Sequence, residues 1–290
     1  MSLIATADLQ RCHRNFHVLN LGAGVQSTAM ALLFADGKLT PMPDIAIFAD
    51  TQDEEDYTYS HLEWLKEQCP FPIWVRTTGK LSANLVNGIN STGQRFVSIP
   101  AFTKDPGDKD KGQIRRQCTA EYKLKPITLA VRRELIGLKF RQRIPKGTRI
   151  FHHIGISIDE AGRMNRIKGR MKKYEEGVFD LIQLEWTRSD CKRYLAGRCP
   201  HPVGRSACKF CPYKSDDEWN EQKVNRPESF EESCRVDEAL RVPGNVCNRG
   251  SDKPMFLHAS CIPLRDVVFK TGVKYEQNRF KYECTGLCGN

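Results

Sequence analysis

Along the chain the apolar positions first gather into short unbroken runs and then into helically spaced ones. HVLNLG (17–22) suits a strand buried on both faces, and VQSTAMALLFADGK (25–38) has helical spacing that stops at Gly37. DIAIFAD (44–50) predicts a second buried strand, DYTYSHLEWLKEQC (56–69) an amphipathic helix, and FPIWVRTT (71–78) a third strand. TRIFHHIGIS (148–157) predicts a fourth strand and FDLIQLEW (179–186) a fifth. Between them, AEYKLKPITLAVRRELIG (120–137) reads as helix, with Pro126 in an early turn or at a kink. TRSDCKRYLAG (187–197) reads as a short helix with Thr187 as N-cap. Strands alternating with helices imply βαβ units, hence an α/β fold with a parallel sheet flanked by helices.

Two stretches fall outside this alternation. TKDPGDKDKGQIRRQ (103–117) is polar and glycine-bearing and predicts a mobile loop. From about residue 197 cysteine, proline and glycine dominate, as in a region held by a metal rather than by a large core. The expected division is one domain over residues 1–196 and a smaller Cys-rich region over 197–290.

Composition narrows the setting. Hydrophobic residues make up 40% and the mean hydropathy is −0.51, and no apolar run approaches the roughly 18–20 residues of a membrane span. The first 16 residues lack the tripartite pattern of a signal peptide, so a cytoplasmic location is expected. There are 45 Lys and Arg against 35 Asp and Glu, a net +10. The basic residues cluster in KDKGQIRRQC, KFRQRIPKGTR and RMNRIKGRMKK, which fits an anionic small molecule or a nucleic acid equally. Twelve cysteines in a reducing compartment point to metal or redox chemistry rather than a disulfide framework.

The first chemical motif is the turn after the first strand. Gly22, Gly24, Ser27 and Thr28 sit where a strand meets a helix, so backbone amides and the helix N-terminus face an anion. No lysine follows, and Thr28 breaks a third glycine, so neither common phosphate signature is complete. Asp50 and Thr51 end the second strand at the carboxyl edge, where open α/β sheets bind ligands. The second motif is Cys191-x7-Cys199-x8-Cys208-x2-Cys211, a spacing that suits a metal, structural Zn²⁺ included. Trp186 and Trp219 flank it and are expected to cover it. His152 and His153 lie on opposite faces of one strand; a packed core histidine is the first expectation and a reach to the ligand edge the second.

The turn Gly22, Ala23, Gly24, Val25, Gln26, Ser27 resembles the pyrophosphate loop S-G-G-x-D-S of the adenine-nucleotide alpha-hydrolase (PP-loop) superfamily, with Gly22 for the first serine and Gln26 for the aspartate. That glutamine is similar to the phosphoadenylyl-sulfate (PAPS) reductase branch. RRQCTAEYKLKPI (115–127) resembles the branch's C-C-x-x-R-K-x-x-P-L, and IGISIDEAGRM (154–164) its G-x-R-x-x-E-S-x-x-R. EWTRSDCKRYL (185–195) resembles its W-T-x-x-D-V-W-x-Y. The resemblance implies a Rossmann-like (HUP-type) sheet over residues 1–196 holding ATP or another adenine nucleotide, with Mg²⁺ as a companion ion. It implies that Gly22, Ala23, Gly24, Gln26, Ser27 and Thr28 surround the phosphates, with Asp50, Thr51 and Glu160 near the nucleotide. Lys123, Arg163 and Arg166 would neutralise sulfate or phosphate oxygens.

The same resemblance implies a [4Fe–4S] cluster on Cys118, Cys208 and Cys211, with Gln117 where a neighbouring cysteine is expected. Cys191 is the expected fourth ligand and Cys199 its rival; Zn²⁺ on Cys191, Cys199, Cys208 and Cys211 is the alternative. The tail YECTGLCGN resembles the start of the branch's E-C-G-x-H, which implies Cys284 as a nucleophile and Cys288 as its resolving thiol. Three functions follow as expectations. The first is sulfonucleotide reduction with a thioredoxin-like reductant. The second is ATP-dependent sulfur transfer to nucleic acid, as in DNA phosphorothioation or transfer-RNA thiolation. The third is a non-catalytic nucleotide-sensing subunit. A homodimer is expected.

Overall fold

The computed structural model describes residues 14–90, 93, 99–105, 107, 109–242 and 253–272. Its centre is a five-stranded parallel sheet. β1 (Asn15–Leu21) leads through the glycine turn into α1 (Val25–Ala35), then β2 (Ile45–Asp50), α2 (Asp56–Gln68) and β3 (Ile73–Thr77). α3 (Leu81–Val86) follows, and then a short antiparallel pair, β4 (Phe102–Thr103) with β5 (Gly112–Gln113). α4 (Lys125–Ala130) is flanked by π-helical segments Thr119–Leu124 and Val131–Leu135, so residues 119–135 form one helical rod with Pro126 in its middle section's first turn. β6 (Arg149–Ile154), α5 (Gly162–Lys168) and β7 (Glu175–Val178) complete the sheet in the order β3-β2-β1-β6-β7, all parallel.

The direction of strand addition reverses between β1 and β6, which opens a crevice at their carboxyl ends. α1 is buried along nearly its whole length, from Val25 to Phe34, against the sheet, α6 (Asp180–Gln183) and α7 (Arg188–Ala196). Thr187 caps α7 with a capping box shared with Asp190, as the sequence predicts.

Three expectations change. FDLIQLEW is not a strand: it contains α6, and the fifth strand lies just before it at residues 175–178. Asp180 is drawn inward to accept from His153 Nδ1 at 2.9 Å, and the strand itself is polar because it lies on the sheet edge. The stretch 103–117 holds the end of β4 and all of β5, and β4 pairs antiparallel with β5 on one side and β8 (Met255–Phe256) on the other, so it is not wholly loop. The Cys-rich region has a core of its own. α8 (Asp216–Asn225) and α9 (Pro227–Ala239) bury Trp219, Phe230 and Cys234 against Leu81, Leu85 and Tyr122 of the preceding segment. That apolar cluster crosses the expected boundary at residue 196. Among the described residues no helix is long and apolar enough to cross a membrane.

Candidate functional site

The glycine turn forms the floor of a cavity at the β1–β6 crevice, lined by Asn20, Gly22, Gly24, Gln26, Ser27 and Gly155, with Arg188, Arg205 and Ser206 on the opposite wall. Ala23 takes the left-handed conformation with φ 54°, which tightens the turn, and it belongs to the buried apolar cluster under α1 rather than to the cavity lining. Gly24 is the N-cap of α1 and offers no side-chain cap, so the first helical amides are left for another acceptor. Gly22 N donates to Ser27 Oγ at 3.2 Å, and that hydroxyl donates to Gly24 O at 3.3 Å, which fixes the loop's curvature.

Two close approaches require glycine. A Cβ on Gly155 would stand 2.9 Å from Ser27 N, and one on Gly24 would stand 3.2 Å from Ser206 N. Residues after β6 and from the Cys-rich region therefore press directly on the turn. Asn20 Nδ2 and Ser206 Oγ in the lining are buried with no hydrogen-bond partner among the described residues. A bound anion would satisfy both. Among the described lining residues there is no carboxylate, and two are arginines.

Beneath the cavity a polar network sets the orientation of Gln26. Its Nε2 donates to Glu160 Oε2 at 3.0 Å, while Arg188 Nη1 donates to Gln26 Oε1 at 2.8 Å. Glu160 in turn pairs with Arg163. Glu160 and Arg163 thus support the turn from behind rather than line the cavity, and Arg166 is exposed. Thr28 also faces away: its Oγ1 meets His61 Nε2 at 2.9 Å, and His61 Nδ1 meets His201 Nε2 at 2.9 Å. Asp50 lines neither cavity; its Oδ1 accepts from Gln52 N at 2.7 Å and Tyr59 OH at 2.9 Å. His152 reaches the site indirectly, with Nδ1 3.2 Å from Asn20 Oδ1.

A second, more apolar cleft adjoins the first and shares Arg205 with it. Cys118, Cys208 and Cys211 line this cleft together with Thr51, Lys123 and Arg116. The C-x-x-C turn is pinned to the loop after β2. Lys209 N donates to Asp53 O at 2.8 Å, Cys211 N to Cys208 O at 3.1 Å, and Cys208 Sγ lies 3.2 Å from Thr51 Oγ1. Lys123 pairs with Glu54 at 3.2 Å in a setting where Glu54 is fully buried. Burial, and then the Glu54 carboxylate, push the Cys208 thiol well above the ordinary range, so free of metal it is a poor nucleophile at neutral pH.

The expected fourth ligand lies elsewhere. Cys191 is fully buried on α7 in the cluster beneath α1, its thiol pushed up to about 12 by burial, and it does not line the cleft. Cys199 packs against that same cluster. Trp186 packs there too, against Tyr194, while Trp219 covers the thiol side. Among the described residues no three His, Cys, Asp or Glu side chains stand close enough to hold a metal ion as placed. In kind the three thiols of the cleft suit iron or zinc, which would have to draw them together and recruit another donor. Cys284 and Cys288 lie outside the described residues.

The sequence pattern singles out the turn and the C-x-x-C. It does not single out Asn20, Gly155, Arg188, Arg205 or Ser206, which converge on the turn only through the fold. Compared with known proteins, the chain matches no family model, no curated protein and no solved structure.

Proposed function

We propose that the chain is an enzyme similar to PAPS reductases, which holds an adenine nucleotide by its phosphates at residues 22–27 and carries out thiol-dependent sulfur chemistry beside it. The observation that carries this reading is the sharing of Arg205 between an anion cavity and a cleft lined by three thiols. In sulfonucleotide reduction a thiolate attacks the sulfonyl sulfur, an S–S bond forms, and the S–O bond to the nucleoside phosphate breaks. The charge that develops on the leaving phosphate would meet Arg188, Arg205 and the helix amides, all fixed before reaction. A second thiol then displaces sulfite and leaves a disulfide, which a thioredoxin-like dithiol reduces.

Cys284 is the proposed nucleophile and Cys288 its resolving partner, since the raised Cys208 thiol stays protonated at neutral pH. Cys118, Cys208 and Cys211 would hold the metal group, a [4Fe–4S] cluster before Zn²⁺; when bound it supplies fixed charge and redox capacity near the sulfur. Reduced thiols fit the cytoplasm.

ATP-dependent sulfur transfer to nucleic acid is favoured by the +10 charge. The absence of a carboxylate among the described lining residues counts against it, because Arg188 takes the one side-chain amide oxygen of Gln26 that could face Mg²⁺-bound pyrophosphate. Anaerobic incubation with PAPS or ATP, with thioredoxin and with or without oligonucleotide, separates the two. The expected result is sulfite from PAPS, lost in Cys284→Ser. Pyrophosphate released only with nucleic acid, and no sulfite, would overturn the proposal; tight nucleotide binding without either product would mark a sensing subunit.

A further inference from the structure

The loop between the helical rod and β6 turns around the amino edge of the sheet, opposite the nucleotide crevice. It is held in shape by its own hydrogen bonds. Leu138 N donates to Arg132 O at 2.8 Å, Lys139 N to Gln142 Oε1 at 2.9 Å, and Arg132 Nη2 to Gln142 O at 2.6 Å. Ile136 and Ile144 anchor it on the core cluster formed by β1, β2 and the rod. At its tip Phe140 is 73% exposed, and its ring lies 5.2 Å from the Arg141 guanidinium and 5.8 Å from that of Arg133. Arg133, Lys139, Arg141, Arg143 and Lys146 are all exposed. Residues 132–149 contain seven basic residues and a single acidic one, Glu134, which Arg76 holds.

We infer that this loop is a docking surface for single-stranded nucleic acid, with Phe140 as a stacking platform and the surrounding cations as phosphate contacts. A largely exposed ring costs hydrophobic free energy unless something covers it. Here its neighbours are guanidinium planes, groups that also stack on bases and pair with phosphates. A duplex hides its base faces, whereas a single strand presents them to an aromatic ring. A lone phenylalanine ringed by cations lacks the broad apolar face that membrane insertion needs. Repulsion among so many like charges is relieved when a polyanion binds, with release of its counterions.

The test uses the full chain and fluorescein-labelled 20-nucleotide single-stranded DNA and RNA, followed by fluorescence anisotropy at several salt concentrations. Matched duplexes and phosphatidylserine vesicles run in parallel. Phe140→Ala is expected to weaken single-strand binding about tenfold. Arg133→Gln with Arg141→Gln is expected to lower the slope of log K against log salt by about 0.7 for each arginine removed. Both variants should melt and bind PAPS or ATP like the parent, because they lie at the other edge of the sheet. That control separates failure here from failure of the nucleotide site. The inference is overturned if single strands do not bind, if the variants bind them like the parent, or if duplex binds as tightly and ignores Phe140→Ala. Vesicle binding that depends on Phe140 without oligonucleotide binding would overturn it in favour of a membrane surface.

Discussion

A buried hydroxyl with no partner destabilises the state that contains it, unless a ligand supplies the missing bond. Ser206 Oγ and Asn20 Nδ2 are in that condition on opposite sides of the phosphate cavity. Ser206→Ala is therefore expected to leave the melting temperature unchanged or slightly raised, while weakening adenine-nucleotide binding about five- to tenfold, as loss of one hydrogen bond to a charged group would. Parallel calorimetry and thermal melts check this; a drop in both would mean that Ser206 serves the fold alone. Histidines set the pH response. Burial, and then His201, hold His61 down at about 4, and burial holds His152 at about 4. Between the unfolded value near 6.5 and the folded value near 4, the unfolded chain binds more protons. Stability should then be full above pH 6.5 and fall as the pH drops toward 4, read as a declining melting temperature; a flat profile over that range would contradict it. At this scale only part of the site was legible. Glycines after an apolar run announce a turn by themselves, whereas Arg188 and Arg205 are ordinary surface-like arginines until α7 and the Cys-rich segment are laid over β1.

The elements show which sequence signals are strong. Fully buried strands such as Ile45–Asp50 and a buried helix such as Val25–Ala35 are marked by continuous apolar runs, because both of their sides face core. An edge strand is marked far less: Glu175–Val178 holds two glutamates and a glycine, and the apolar run beside it folds as a helix. The site depends on the contact between two elements' ends, where the residue after β6 touches the first turn of α1. Gly155→Ala would place a methyl 2.9 Å from Ser27 N and 3.1 Å from Ser27 Cα, both backbone atoms. The turn must shift, so nucleotide affinity should fall at least tenfold, with a destabilisation of about 1–3 kcal/mol from overpacking. Unchanged affinity in calorimetry would place the phosphates somewhere other than this turn.

Over the whole molecule, two apolar clusters meet at the site: one under α1 and α7, the other joining α8 and α9 to Leu81 and Tyr122. The thiol cleft lies where the second cluster reaches the sheet's carboxyl edge. Cysteine spacing alone implied a metal-held appendage, since small apolar clusters assembled from distant segments leave no periodic trace in sequence. The packing predicts otherwise. Chelation should shift the melting transition by no more than a few degrees, whereas Trp219→Ala, which removes a fully buried indole, should cost about 3–5 kcal/mol. Unfolding by chelator alone would show that metal, not the apolar core, holds residues 197–242. The basic loop at the opposite edge adds a second, independent face, which the proposals assign to a polyanion while the carboxyl edge takes the nucleotide.

The proposed function rests on a nucleotide phosphate seated between the glycine turn and Arg188. The most direct test is calorimetric titration of PAPS and ATP into the parent chain and Arg188→Ala. The account predicts saturable binding to the parent and at least a tenfold loss in the variant, with melting in the absence of nucleotide lowered only by the lost hydrogen bond to Gln26, a few degrees at most. Absence of binding to the parent, or equal affinity in the two proteins, would contradict it.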